Sequence, residues 1–289
     1  MENGGVKGMG RIEKVVLYHC GFCVNNLALI FRKMPWKSIR FPALAVLIQH
    51  KTLGNILYDT GYSEHIVNKG MQKKAGFWER IVLKLYGLLN PVSVERDDMI
   101  DKKLGQDGID SESVNTIILS HGHPDHVGGL SRFSGYELVT SEEVMEAIRK
   151  PKTGGLVFSS QIPEIKESKV RQMSGQGMKE HFLCRYFDRI YDLFGDGSVI
   201  GVILDGHCKG QMGIWIPDVS LFFAADACWG KDLVHVVGRM RFVPRMIQEN
   251  FKDYQDTLGR IVWMKKENPE IQVVFSHQTG RERVYEGAD

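Results

Sequence analysis

The sequence has no apolar run near the ~20 residues that a membrane-spanning helix needs. Its longest candidates, such as 43–48, have the length of a β-strand. The first ten residues, 1–10, are rich in glycine and lack the apolar block of a secretory signal, so they read as a loose, flexible tail. An excess of one charge is also missing: 37 basic residues face 35 acidic ones, for a net charge of +2. Nucleic-acid-binding domains usually carry a clear basic surplus, so near-balance argues against such a partner. Cysteine is sparse, with five residues, an odd number, scattered along the chain. That excludes the disulfide framework of a small secreted protein and fits a reducing cytoplasm. The expectation is a cytoplasmic protein without membrane insertion.

Two of the cysteines form a C-x-x-C, in Tyr18-His19-Cys20-Gly21-Phe22-Cys23. A redox pair would open a helix after a strand, where the helix N-terminus lowers a thiol pKa. Here Val24-Asn25-Asn26 reads as a loop, and no second C-x-x-C completes a four-thiolate metal site. The pair is expected to be two small buried residues near a strand end.

What the chain does have is an ordinary globular composition, 43% hydrophobic and 25% charged over 289 residues. This suits one large α/β domain, spanning 11–289 after the tail. Apolar, β-branched runs alternate with helical patterns, as in an α/β architecture. Strands are expected at 14–18, 116–120, 136–140, 199–204, 213–216, 221–225 and 271–275, and a hairpin at 43–50 and 55–58 turning through Lys51-Thr52-Leu53-Gly54. Ser141 caps a helix running to Lys150, and 254–266 is an amphipathic helix closed by Asn268-Pro269. The segment 151–177 is turn-rich and reads as a link between two halves. Helical spacing of apolar residues in 77–89 predicts a packed helix, with a lid over a site or a contact to an apolar ligand as the alternative.

The densest chemistry lies in Ser120-His121-Gly122-His123-Pro124-Asp125-His126-Val127-Gly128-Gly129, just after an apolar strand. In an extended segment, side chains two apart share a face, so His121 and His123 can meet one metal ion. Pro124 turns the chain and lets Asp125 and His126 reach a second point nearby. Gly128 and Gly129 allow backbone to pass close by. Imidazole nitrogens and carboxylate oxygens are the usual ligands of an open, catalytic zinc site. Four more residues then recur at the ends of apolar runs: Asp59, His207, Asp226 and His277. Ligands of α/β sheets gather beyond the carboxyl ends of strands. A carboxylate placed there is costly unless it is paired or metal-bound. Lone histidines elsewhere (His19, His50, His65, His181 and His235) receive no role.

With these residues in place, the sequence closely resembles the metallo-β-lactamase superfamily over nearly its whole length after the tail. The motif His121-x-His123-x-Asp125-His126 is specific to that family, and Asp59, His207, Asp226 and His277 follow in the family's order. The resemblance implies an αβ/βα four-layer sandwich of two mixed β-sheets flanked by helices. It implies two divalent metal ions, zinc or else iron or manganese. His121, His123 and His207 would hold the first ion, and Asp125, His126 and His277 the second. Asp226 would bridge them, and Asp59 would steady the ligands from behind. The sequence looks most like the lactonase group that includes acyl-homoserine lactone lactonases. That implies a metal-bridging hydroxide attacking the carbonyl carbon of a lactone or carboxylic ester, with Asp226 and Asp125 as catalytic carboxylates and a small molecule as substrate.

There are departures. A Tyr common three residues after the bridging Asp is Trp229, which could contact substrate but cannot act as a phenol acid. The last motif is Ser276-His277-Gln278, and the preceding one is Asp205-Gly206-His207. The nearest alternative is a glyoxalase-type thioesterase, for which Arg281 and Arg283 are the only basic residues near the last motif. A nuclease fits the charge balance poorly. A diiron flavoprotein would carry Glu in place of the second histidine and a flavodoxin-like domain. The non-enzyme alternative is a metal-containing ligand sensor or pathway chaperone, against which the complete ligand set speaks.

Overall fold

Alternation along the strands decides how many faces each sheet must cover. In β1 (Ile12–Asn26), Val15 and Leu17 point to one side, while Val16 and Tyr18 point to the other, and all four are buried. A computed structural model of the chain, describing residues 10–67, 75–280 and 283–287, shows how both sides are covered. The expected tail lies outside the described residues except for Gly10, and Arg281 lies outside them too.

After β1, the short α1 (Leu27–Ile30) leads to β2 (Ser38–His50) and β3 (Gly54–Tyr58), the expected hairpin. Then come α2 (Phe77–Leu89), β4 (Val92–Ser93), α3 (Ile100–Gln106), β5 (Val114–Ile118), α4 (Pro124–Val127), β6 (Glu137–Ser141), α5 (Glu142–Arg149) and β7 (Val170–Met173). The second half holds β8 (Ile190–Asp192), β9 (Ile200–Ile203), β10 (Met212–Ile216), β11 (Leu221–Phe223), α6 (Phe242–Arg245), α7 (Phe251–Glu267), β12 (Gln272–Val274) and β13 (Arg283–Glu286). The first sheet has the order β13-β1-β2-β3-β5-β6-β7, with β4 beside β1; the second runs β12-β11-β10-β9-β8. Both mix parallel and antiparallel pairs.

The sheets face each other through Leu17, Val46, Ile56, Ile118, Ile214 and Phe223. The outer face of the first sheet, with Val16, Leu47 and Ile117, packs on α3, α4 and α5 through Leu104, Val127 and Met145. The outer face of the second, with Val202 and Phe222, packs on α7 through Leu258, Ile261 and Met264. The four-layer sandwich expected from the sequence is the architecture present. Spacing explains α7: Tyr254, Leu258, Ile261 and Met264 form one buried stripe, and the Asn250 side chain caps it by accepting from the N–H groups of Lys252 and Asp253.

Three local expectations are corrected. Val24-Asn25-Asn26 is not a loop but the end of β1, paired with Arg40, Ile39 and Ser38 of β2 beyond a bulge at Cys20 and Gly21. Gly21 takes the left-handed φ of +79° that this bulge needs. The segment 151–177 is more than a link, since β7 within it pairs with β6 and ends the first sheet. The helix α2 forms as expected, but its apolar residues are not packed all round: Leu83 is buried, whereas Phe77, Trp78, Ile81, Leu85, Leu88 and Leu89 are exposed. Cys20 and Cys23 are free and buried, as expected.

The inter-sheet placement of Phe223 makes a stability prediction. Phe223→Ala should cost about 3–5 kcal/mol in urea unfolding, while exposed Val262→Ala should stay within about 0.5 kcal/mol. Equal costs would contradict the packing described.

Candidate metal centre

Five strands end at one rim of the sandwich, and each releases a polar side chain there. Asp59 follows β3, His121 lies three residues past β5, His207 four past β9, and Asp226 and His277 three past β11 and β12. Two of these exits use left-handed backbone at non-glycine residues: φ is +57° at Asp59 and +45° at Ala225, just before Asp226. Such conformations are uncommon and persist where the surroundings enforce them. His123 is the N-cap residue of α4 and Pro124 its first residue, a position where proline's missing N–H costs nothing. The α4 turn then carries Asp125 and His126 inward. Its exit runs so close to the β3 exit that a Cβ on Gly128 would lie 2.6 Å from the Gly61 carbonyl oxygen, and one on Gly129 2.5 Å from that of Thr60.

The structure brings all seven expected donors together, in two groups. His121, His123 and His207 form one, with Cys208 beside them; Asp125, His126, Asp226 and His277 form the other. Within each group the donor atoms lie within 4.8 Å of one another. In the first, His207 Nε2 is 3.0 Å from His123 Nδ1. In the second, His277 Nε2 is 3.1 Å from Asp226 Oδ2 and 3.4 Å from Asp125 Oδ2. Asp226 stands between the groups: His126 Nε2 is 3.4 Å from its Oδ1 and His207 Nε2 3.4 Å from its Oδ2.

Each histidine is held from behind through its other nitrogen. His121 Nδ1 meets Ser120 Oγ at 3.0 Å, and His123 Nε2 the Gly155 carbonyl at 3.1 Å. His126 Nδ1 meets Asp59 Oδ2 at 2.7 Å, His207 Nδ1 the Gln248 side-chain oxygen at 2.7 Å, and His277 Nδ1 the Pro42 carbonyl at 2.8 Å. An acceptor behind the ring keeps the proton there and turns the opposite lone pair inward. Asp59 organises the middle, because it also accepts from the Ser120 N–H at 2.8 Å and the Ser120 hydroxyl at 2.7 Å.

The inward side is not satisfied by protein. His121 Nε2, His126 Nε2 and Asp226 Oδ1 are buried and have no hydrogen-bond partner. Orphaned buried polar atoms are costly, and three aimed into one cluster fit bound cations. Nitrogen and carboxylate donors in these proportions suit a divalent metal.

The two groups differ electrostatically. Burial and the neighbouring imidazoles hold His121 and His123 well below the usual histidine range, and burial lowers His207, so all three present neutral lone pairs. Burial also opposes protonation of His126 and His277, but adjacent carboxylates outweigh it. Asp59, Asp125 and Asp226 raise His126 well above its ordinary value, and Asp226 and Asp125 push His277 up to about 9. Burial would raise Asp226, yet His277 and His126 hold it well below the usual carboxylate range. Without a cation, protons on the second group do part of its work.

Sequence reasoning named Trp229 beside the site but missed several other neighbours. A cavity over the cluster is lined by Cys23, Phe41, Tyr62, Tyr86 and Trp229 as well as by the polar groups. The Tyr62 and Tyr86 hydroxyls meet at 2.9 Å. Burial keeps both phenols well above their ordinary value, hence protonated. Tyr62 stands three residues after Asp59, and Tyr86 lies on the inward face of α2, so proximity to those two features was the available signal. Trp229 is half-buried and edge-on to Phe41 at 6.4 Å between ring centroids. Gln248 and Gly155 come from distant loops and carry no sequence signal.

A family model described as the metallo-beta-lactamase superfamily matches residues 39–267. The chain belongs to this superfamily. Among curated proteins it is similar to the metallo-hydrolase mfmC of Annulohypoxylon moriforme, 28% identical over 52% of this chain and 42% of that protein. It is similar to the N-acyl homoserine lactonase AttM of Azorhizobium caulinodans, 26% identical over 43% of this chain and 45% of that protein. It is also 30% identical, over 52% of its length, to 19% of the cytochrome P450 monooxygenase mpaDE of Penicillium roqueforti. The chain spans less than half the length of each of these relatives. In fold it is similar to a quorum-quenching N-acyl homoserine lactone lactonase, with a TM-score of 0.67, 19% identity and 94% of each chain covered.

The Asp59 arrangement yields a test. Asp59→Asn leaves one oxygen to serve His126 and Ser120, and should weaken metal binding about 10–100-fold in a chelator competition titration. Unchanged affinity would remove Asp59 from the support of the site.

Proposed function

We propose that this superfamily member is a metal-dependent hydrolase holding two divalent cations, zinc first among the candidates, with iron or manganese acceptable to the same donors. His121, His123 and His207 would hold one, Asp125, His126 and His277 the other, and Asp226 would reach both. The observation that carries this reading is the convergence of seven donors with three buried atoms left unpartnered on the inward side. Bound there, the cations would supply an acidified water and a Lewis-acid contact for a carbonyl oxygen.

The chain's own residues do the rest. Asp226 is the group placed to take a proton and return it to a leaving alkoxide, as general acid–base catalysis requires. Asp125, 3.4 Å from His277 Nε2, fixes negative charge beside that ring. Tyr62 and Tyr86 stay protonated; one hydroxyl donates to the other, which leaves the second free to donate to a substrate oxygen, a role the indole of Trp229 fills only through its single N–H. Phe41 and Trp229 wall the cavity with apolar surface.

The substrate proposed is a small-molecule lactone or carboxylic ester. The relatives named as N-acyl homoserine lactonases support it, as does the absence of a strong basic surplus. We place residues 11–289 in one domain and the protein in the cytoplasm, in keeping with five unpaired cysteines.

Metal-loaded protein and its Asp226→Asn variant, compared on a panel of lactones, esters and acylated thiols, test this. The variant should lose about 10²–10⁴-fold in kcat/KM on lactones or esters. Equal rates would defeat the metal-hydrolase reading, and turnover of acylated thiols alone would make the protein a thioesterase.

A further inference from the structure

The helix α2 buries one face and leaves a second apolar face outside. Glu79 and Leu83 point inward, while Phe77, Trp78, Ile81, Leu85 and Leu88 recur at helical spacing on the exposed side. Phe77, Trp78 and Leu88 are 72%, 73% and 75% exposed, far beyond what a packed helix shows. Across from it, the α6 segment exposes Phe242, Val243 and Met246. A cleft of about 800 Å³ separates the two, walled by Val82, Leu85 and Leu89 on one side and by Val243, Met246 and Ile247 on the other. His121, His123 and His207 lie on its floor. A third segment adds Trp36, 77% exposed, and is tied to the α6 side by hydrogen bonds from Arg32 N to the Arg239 carbonyl and from Arg241 N to the Ile30 carbonyl.

On three segments of this rim the exposed charge has one sign, while the cleft between them is also lined by Glu249 and by Glu143 and Glu146, which are ion-paired with Arg189 and Lys150. Segments 29–41, 77–89 and 239–246 carry Arg32, Lys33, Lys37 and Arg40, then Arg80 and Lys84, then Arg239, Arg241 and Arg245. Their one carboxylate, Glu79, is buried and accepts from the Ser159 hydroxyl at 2.6 Å and the Ser160 N–H at 2.9 Å. Among the described residues, none of these nine cations is in an ion pair. The whole chain is nearly neutral, so this is a local concentration.

We propose that this rim docks on an anionic lipid bilayer. Exposed Trp, Phe and Leu ringed by Arg and Lys is the composition of a surface that sinks to the headgroup level. With 13 residues α2 is too short to cross a bilayer, and no described helix is long and apolar enough to do so, so α2 lies along the surface. Charge complementarity selects the occupant. A second copy would set the same cations against each other in a two-fold interface, whereas anionic headgroups neutralise them. Docked this way, the cleft above the histidines opens toward the lipid. The proposal does not depend on the hydrolase reading, since vesicle binding needs no turnover.

The test is co-sedimentation of the full chain with phosphatidylcholine vesicles, with and without phosphatidylserine, alongside sizing without lipid. Binding should be more than about tenfold tighter to the anionic vesicles and weaken with salt. Trp78→Ser with Leu88→Ser, and separately Lys37→Glu with Lys84→Glu, should each reduce it more than about tenfold, with thermal melting unchanged because all four side chains are exposed. No binding to anionic vesicles, or binding that both variants retain, overturns the proposal. So does a dimer in solution that Trp78→Ser with Leu88→Ser dissociates, which would assign the face to a second copy.

Discussion

Buried donor atoms that the protein leaves without protein partners set the terms for this structure. His121 Nε2, His126 Nε2 and Asp226 Oδ1 sit out of reach of solvent without a hydrogen-bond partner, the last two facing each other at 3.4 Å. A fold carrying such a cost must recover it from something else. The neutral trio His121, His123 and His207 and the carboxylate-rich set around Asp226 are what two cations would recover it with.

The sandwich is built to hold that strained rim. Its sheets are pinned by apolar contacts on both faces, so the strand ends are fixed before any polar group is placed. The exits at Asp59 and Ala225 then take left-handed backbone, and Gly128 and Gly129 let two exits cross at near-contact distance. Behind each ring a carbonyl, hydroxyl, amide or carboxylate fixes its direction. These supports come from strand exits of the first sheet, from Pro42 within β2, and from loops as far away as Gly155 and Gln248, so the centre records the tertiary fold rather than any one segment.

The parts legible in the sequence were those encoded locally. Three histidines and an aspartate within six positions, and single polar residues ending apolar runs, need no tertiary information to be noticed. The long strands and α7 were legible for the same reason: period and caps repeat enough to be read. The strands β4, β7, β8 and β13, of two to four residues, exist because a sheet edge was there to pair with, and no period can form over such lengths. Asn25 and Asn26 read as loop because their composition is that of a turn, yet β2 supplies partners and overrides it. The helix α2 was legible as a helix, but apolar spacing says only that a face is apolar, not whether protein covers it. Its outward face instead joins a basic rim at the mouth of the cleft.

The central claim is that two cations occupy the cluster. Anomalous diffraction from crystals of the purified protein, at the absorption edge of whichever metal its X-ray fluorescence reveals, tests it most directly. The account predicts two peaks about 3.5–4 Å apart, one among His121, His123 and His207, the other among Asp125, His126 and His277, with Asp226 between them. A map with no peak at these side chains, from protein otherwise folded as described, would contradict it.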